Sequence, residues 1–128
     1  MKAAYIDTSC LVAIAFDEPG ASSLADQLRD FDRLLASNLL EAEFTATLVR
    51  EGVDEDGLEM LSWISWVYPN RSLTSEFERI TAHGYLRGAD LWHLACALFV
   101  SHNPQQISFL TLDHRQAEIA GRLGFTGL

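Results

Sequence analysis

Residues 3–16, AAYIDTSCLVAIAF, decide the fold. Ala3 to Ile6 is a short apolar run, and Asp7, Thr8 and Ser9 follow it without a break. Side chains of that type accept the unpaired N–H groups that open a helix. The stretch therefore reads as a buried strand running directly into a helix.

Outward from there the alternation repeats. Pro19 and Gly20 open a second helical stretch with Leu24, Leu28 and Phe31 at helical spacing, and Leu34 to Ala36 returns as a second strand. From Asn38 onward Leu40, Phe44, Thr47 and Leu48 recur at helical intervals until Gly52, a fitting helix stop. Asp54 to Trp66 reads as another helix, with Leu58, Leu61 and Ile64 or Ser65 on one side. Trp66 to Tyr68 reads as a short strand before the Pro69–Asn70 turn, and Phe77, Ile80 and Gly84 suggest a further helix. Ala89 to Val100 is apolar on almost every side, which marks a helix buried in the middle of the domain. Ile107 to Leu112 reads as a core strand, and Asp113 starts a final helix carrying Ala117, Ala120 and Leu123. Strands alternating with helices predict the α/β class, a three-layer α/β/α arrangement with a central, mostly parallel sheet. No linker, internal repeat or low-complexity segment interrupts it, so residues 1–128 are expected to form one domain.

Hydrophobic residues make up 48% of the 128 and charged residues 21%, a globular balance that excludes a disordered or fibrous chain. The longest apolar stretches, such as Leu94 to Val100, fall far short of the roughly 20 residues that span a bilayer. Asp7 stands where a secretion signal would continue its apolar region, so a cytoplasmic protein is expected. Cys10 and Cys96 lack metal-ligand spacing and read as small buried side chains. The net charge of −9 argues against broad attraction to nucleic acid or anionic lipid. An acidic balance also arises where carboxylates gather around metal ions, which reverse the local field.

The layout of the acids favours that second source. In an open parallel sheet, ligands collect outside the carboxyl ends of the strands, and Asp7 and Asp113 each follow a predicted core strand directly. Asp90 stands at the start of the buried helix and Glu43 on the helix after the second strand, so all four can converge on one edge. Like charges a few ångströms apart raise one another's pKa, a conflict that hard divalent cations resolve. Magnesium or manganese takes oxygen ligands and keeps waters, and four acids suit one or two ions. The competing reading makes Asp7, Asp90 and Asp113 helix caps. Periodicity does not choose between Glu43 and Glu41.

The ordered set YIDTSCLVAIAFDEPG, SNLLEAEFTATLVR, LRGADLWHLACAL and FLTLDHRQAEIAGRLGF resembles, nearly end to end, the PIN-domain nucleases, and more narrowly the VapC-like toxins of toxin–antitoxin pairs. The resemblance implies a PIN-like fold and metal-dependent hydrolysis of RNA. It matches the family's metal-binding acids to Asp7, Glu43, Asp90 and Asp113. Glu43 is chosen because the family's serine precedes its glutamate by about six positions, as Ser37 does here, and Glu41 is the alternative. Thr8 or Ser9, in the family's Asp-Thr/Ser-Ser opening, is read as positioning a ligand or water, or as a cap. Magnesium or manganese as cofactor, a homodimer and a small antitoxin partner are implied in the same way.

Neighbouring residues carry two readings each. His93, one turn after Asp90, either bonds to it or to substrate, or is structural. Arg87 and Arg115, close to Asp90 and Asp113, either grip a phosphate or are ordinary surface arginines. Trp63, Trp66 and Trp92 read as core or interface residues. Four rivals to the toxin differ in kind. One is a PIN-like domain that binds RNA or protein without cutting, and another is an RNA-processing PIN nuclease with no antitoxin. A phosphoryl-transferring aspartate enzyme would need an acid two residues after Asp7, where this chain has Ser9. A receiver domain would need a late lysine, and Lys2 is the only lysine.

Overall fold

The computed structural model describes residues 1–52 and 55–128. Strand β1 (Ala3–Ile6) leads into α1 (Thr8–Ala15) and α2 (Ala21–Arg29). Then come β2 (Arg33–Ser37), α3 (Asn38–Glu51), α4 (Glu55–Glu59), a 3₁₀ turn (Met60–Trp63) and β3 (Ile64–Val67). Helices α5 (Thr74–Thr81) and α6 (Gly88–Val100) precede β4 (Ser108–Leu110) and α7 (His114–Leu123). The four strands form one parallel sheet in the order β3-β2-β1-β4.

That order follows from the chain's path. It steps outward from β1 to β2 to β3, then crosses back over the sheet to lay β4 on the other side of β1. On the outward run α1 packs against α2 and α3, and on the return α5 packs against α6. Right-handed crossovers send the two sets to opposite faces, which gives the three layers. The reversal leaves a topological switch point between β1 and β4, the place where open α/β sheets hold their ligands.

Strand β1 is central and covered on both faces: Ala4, Tyr5 and Ile6 are all fully buried. Tyr5 pairs in register with Leu35 on one side and Phe109 on the other, and its ring stacks on that of Phe109. Helix α6 is buried from His93 to Leu98, and its run Ala95-Cys96-Ala97 presents small side chains that permit close packing. Gly52 and Gly124 end α3 and α7 in the left-handed conformation, the usual stop for a helix that lacks further partners for its last carbonyls.

Four expected elements change. The helix read from Asp54 to Trp66 begins outside the described residues and ends as α4 at Glu59, followed by the 3₁₀ turn and then a strand. Its apolar spacing fits a helical stripe, yet Leu58 is 42% exposed. Ile64, Ser65, Trp66 and Val67 instead pair with Leu34, Leu35, Ala36 and Ser37, so a long-range partner overrides the local period. The strand read as Trp66 to Tyr68 is thus Ile64–Val67, with Tyr68 exposed beyond it. Phe31 leaves the α2 stripe, because that helix stops at Arg29, and packs beneath Lys2. The last strand is shorter than Ile107 to Leu112, since beyond Leu110 the chain turns toward α7.

Candidate active site

The ends of β1 and β4 are laced together by short polar side chains. The Asp7 N–H donates to the Leu110 carbonyl at 2.9 Å. Ser9 Oγ accepts from the Leu112 N–H at 3.0 Å, and Thr111 Oγ1 accepts from the Asp113 N–H at 3.1 Å. Thr111 also donates to Asp7 Oδ2 at 3.2 Å, and the Ser9 N–H donates to the same oxygen at 3.3 Å. Asp7 therefore caps α1 with Oδ2 alone and leaves Oδ1 toward His93, whose Nε2 is 4.0 Å away. Asp113 repeats the pattern, capping α7 through Oδ1 to the Gln116 N–H at 2.8 Å. For these two acids, capping one helix and facing a ligand are compatible, because a carboxylate has two oxygens.

Asp90 is different. Arg87 occupies the N-cap of α6, and Asp90 lies in the first helical turn. Among the described residues its carboxylate accepts no hydrogen bond, so the capping reading fails for it. Its carbonyl accepts from Gln116 Nε2 at 3.2 Å, which ties α6 to α7. Gln116 is fully buried, and its amide oxygen has no donor among the described residues. Turning the amide over would set oxygen against the Asp90 carbonyl, so the orientation is fixed by that one contact.

Glu43 and Glu41 separate clearly. Glu41 is exposed in the first turn of α3. Glu43 faces α1 and α6, and its Oε1 accepts from Thr8 Oγ1 and His93 Nε2, each at 2.8 Å. The bond from His93, helped by Thr8 and opposed by burial, holds the Glu43 carboxyl below the usual carboxylate range. His93 is 1% exposed, and its other nitrogen, Nδ1, lies 3.1 Å from the Tyr5 hydroxyl. Its bond is thus to Glu43 and not to Asp90.

The electrostatics bring the four acids together. Asp90 is pushed above its ordinary value first by burial, then by the charges of Asp7 and Asp113 and, more weakly, Glu43, with His93 opposing. Among the described residues no lysine or arginine forms an ion pair with any of the four. A cluster of four carboxylates with no lysine or arginine among its described partners, and only His93 beside it, has the chemistry a hard divalent cation takes. It is not a closed cage: among the described residues, no three His, Cys, Asp or Glu side chains stand at metal-ligating spacing. Magnesium keeps several waters and takes one or two carboxylates directly, so an open set fits its demands.

The loop between α5 and α6 is pinned to α7. Arg122 Nη1 donates to the His83 carbonyl at 2.8 Å, and Arg115 Nε donates to the Tyr85 carbonyl at 3.4 Å. Gly84 makes room for this, since a Cβ there would meet Arg115 Nη2 at 2.7 Å. Both guanidinium groups also pair with Glu118, whereas Arg87 is exposed and, among the described residues, makes no ion pair. Of the tryptophans, Trp92 is half-buried and donates from Nε1 to Ser37 Oγ at 3.2 Å, Trp66 is half-buried in β3, and Trp63 is largely exposed. Cys10 and Cys96 are buried, and burial pushes both thiols up to about 12, which leaves them unreactive.

Sequence reasoning passed over Tyr5, Ser37 as a backbone donor, Thr111 and Gln116. The one available signal was a polar tip within an otherwise apolar strand at Tyr5, since a buried phenol requires a partner. Residues 4–122 match the family model described as the PIN domain, a nuclease fold, and the match spans all four acids. No curated protein matches the chain.

Proposed function

The chain belongs to the PIN-domain family, and from that premise we propose that it is a ribonuclease whose phosphodiester hydrolysis depends on magnesium or manganese held by Asp7, Glu43, Asp90 and Asp113. The observation that carries this reading is the convergence of four carboxylates without a resident cation at the switch point between β1 and β4. A bound divalent cation would supply Lewis acidity toward the scissile phosphate and offset the charge that gathers on it.

The chain's own contribution is to present oxygens in fixed directions. Asp7 and Asp113 each spend one oxygen on a helix terminus and offer the other. Glu43 spends Oε1 on Thr8 and His93 and offers Oε2. Asp90 offers both of its oxygens, neither of which accepts a hydrogen bond among the described residues. Hydrolysis of this kind leaves a 5′-phosphate and a 3′-hydroxyl.

The end-to-end resemblance to VapC-like proteins supports the finer reading that this ribonuclease is the toxin of a toxin–antitoxin pair. In that reading it acts in the cytoplasm as a homodimer and is silenced by a small antitoxin. No helix among the described residues is long and apolar enough to cross a membrane. A cleft beside Asp113, lined by Phe109, Leu112, His114 and Leu128, offers one place for a partner segment next to the acids. A small open reading frame beside the gene would favour the toxin over an RNA-processing nuclease.

The test is digestion of total cellular RNA by the purified protein, freed of any partner, with magnesium or manganese, with chelator, and beside Asp90→Asn. Metal-dependent cutting that is lost in Asp90→Asn and leaves 5′-phosphate ends is expected. No cutting across many RNAs and both metals would favour a binding-only domain, and 2′,3′-cyclic phosphate ends would reject the hydrolytic route.

A further inference from the structure

We infer that a buried hydrogen-bond relay, Ser37 N–H to Tyr5 to His93, aims Glu43 and thereby sets the affinity of the acid site for a divalent cation. The inference rests on the reading of Glu43 as a metal ligand. It makes Tyr5 and His93 positioning residues that act through Glu43.

The relay can be followed proton by proton. The Ser37 N–H donates to the Tyr5 oxygen at 3.0 Å. Tyr5 is fully buried, so its phenolic O–H needs an acceptor within the protein. With one lone pair taken by Ser37, the phenolic O–H is directed to His93 Nδ1 at 3.1 Å. An Nδ1 that accepts places the proton of a neutral imidazole on Nε2. That N–H donates to Glu43 Oε1 at 2.8 Å, where the line ends on a carboxylate oxygen. Every group along the line is satisfied by this one assignment.

The outcome is a glutamate with unequal oxygens. Both donors, Thr8 Oγ1 and His93 Nε2, fall on Oε1, and Oε2 accepts from no protein group among the described residues. The terminal torsion of a glutamate is otherwise broad, so two bonds to one oxygen are what fix the direction of the other. The relay's anchors also sit beside the remaining ligands. Thr8 follows Asp7, and His93 lies one turn after Asp90 on the same helix.

A buried histidine that merely fills space would lack this dependence on Tyr5. The two roles are told apart by manganese affinity, measured by calorimetry on metal-free protein well below its melting temperature. Tyr5→Phe touches no acid, yet it removes the donor to Nδ1 and frees the imidazole to change tautomer. Its manganese Kd is expected to rise roughly tenfold, and that of His93→Leu by roughly 10- to 100-fold, the range for groups that orient a metal ligand. His93→Gln restores a donor near the Nε2 position and is expected to recover most of the loss. Nitrogen-15 NMR of histidine-labelled, metal-free wild type is expected to show the Nε2–H tautomer for His93.

Wild-type manganese affinity retained in both Tyr5→Phe and His93→Leu would overturn the relay and leave the nuclease reading standing. Absence of manganese binding by the wild type would overturn the reading of the acids, and the relay with it. Should Tyr5→Phe fail to fold, the tautomer decides: a proton on Nδ1 of the wild-type ring, with none on Nε2, overturns the inference.

Discussion

Two acids stand in the first turns of two helices that pack on each other, Glu76 in α5 and Asp90 in α6, and their proton affinities move in opposite directions. Glu76 is 8% exposed and gripped by Arg71 through both oxygens, at 3.0 and 2.6 Å. That pairing, against the cost of burial, lowers its pKa to about 2. Asp90 has burial without a guanidinium, and three more acids act on it. Glu76 brings its own cation and serves the fold, whereas Asp90, the acid proposed to take an external cation, is left uncompensated.

The largest test of this contrast is activity. Asp90→Asn is expected to lower RNA cleavage by roughly a thousandfold, about 4 kcal/mol of barrier, because it removes a carboxylate from the proposed metal site. Glu76→Gln is expected to leave cleavage per folded molecule unchanged. Single-turnover rates of both variants at saturating manganese check the pair. Comparable losses from both would erase the distinction drawn between them.

Stability should show the reverse order. Glu76→Gln strips the Arg71 guanidinium of its partner and is expected to lower Tm by several degrees at neutral pH. Since the folded pKa of Glu76 lies below the unfolded value of 4.5, its contribution is present above about 4.5 and fades as pH falls toward 2. Melting curves of wild type and variant are expected to converge over that window. A gap that persists at pH 2 would mean that Glu76 acts through packing alone.

How far the two regions could be read from the sequence differs for the same reason. Asp7 and Asp113 were visible because each follows an apolar strand directly, and strand ends in a parallel sheet share an edge. Glu43 was separated from Glu41 only by its distance from Ser37 in a family pattern, since helical period serves both equally. The partners that hold Glu43 were not legible at all: Thr8 lies 35 residues away and His93 50, and nothing local marks such a contact. Strand β3 was misread for a related reason. Ile64 and Ser65 continue the helical stripe of Leu58 and Leu61 and become strand only against β2.

A smaller shift is expected for Asp90→Asn without metal. A raised folded pKa means the native state binds its proton more tightly than the unfolded chain, so the ionised Asp90 opposes folding at neutral pH and this cost disappears on acidification. The variant should therefore melt about 2–5 °C higher than wild type at pH 7 in low salt. The difference should close as pH falls through the ordinary aspartate range. Added manganese should reverse the order, because binding to the native state raises wild-type stability by mass action. A variant less stable than wild type in chelator would show that Asp90 already has a stabilising partner.

The smallest effect concerns the rim. Arg115 and Arg122 spend their guanidinium groups on loop carbonyls and Glu118, whereas Arg87 stands exposed three residues before Asp90 with, among the described residues, no ion pair. If the proposed ribonuclease reading holds, an arginine in that position offers donors to a phosphate beside the scissile one. Arg87→Ala is expected to raise KM roughly three- to fivefold with kcat nearly constant, and the difference should shrink as added salt screens the contact. Arg115→Ala should act differently, since it releases the Tyr85 carbonyl and the loop that enters α6. Its signature is a lower Tm together with a lower kcat. If Arg87→Ala instead lowers kcat at unchanged KM, the residue acts on the reacting phosphate, and the boundary between the acid cluster and its basic rim moves inward by one turn of α6.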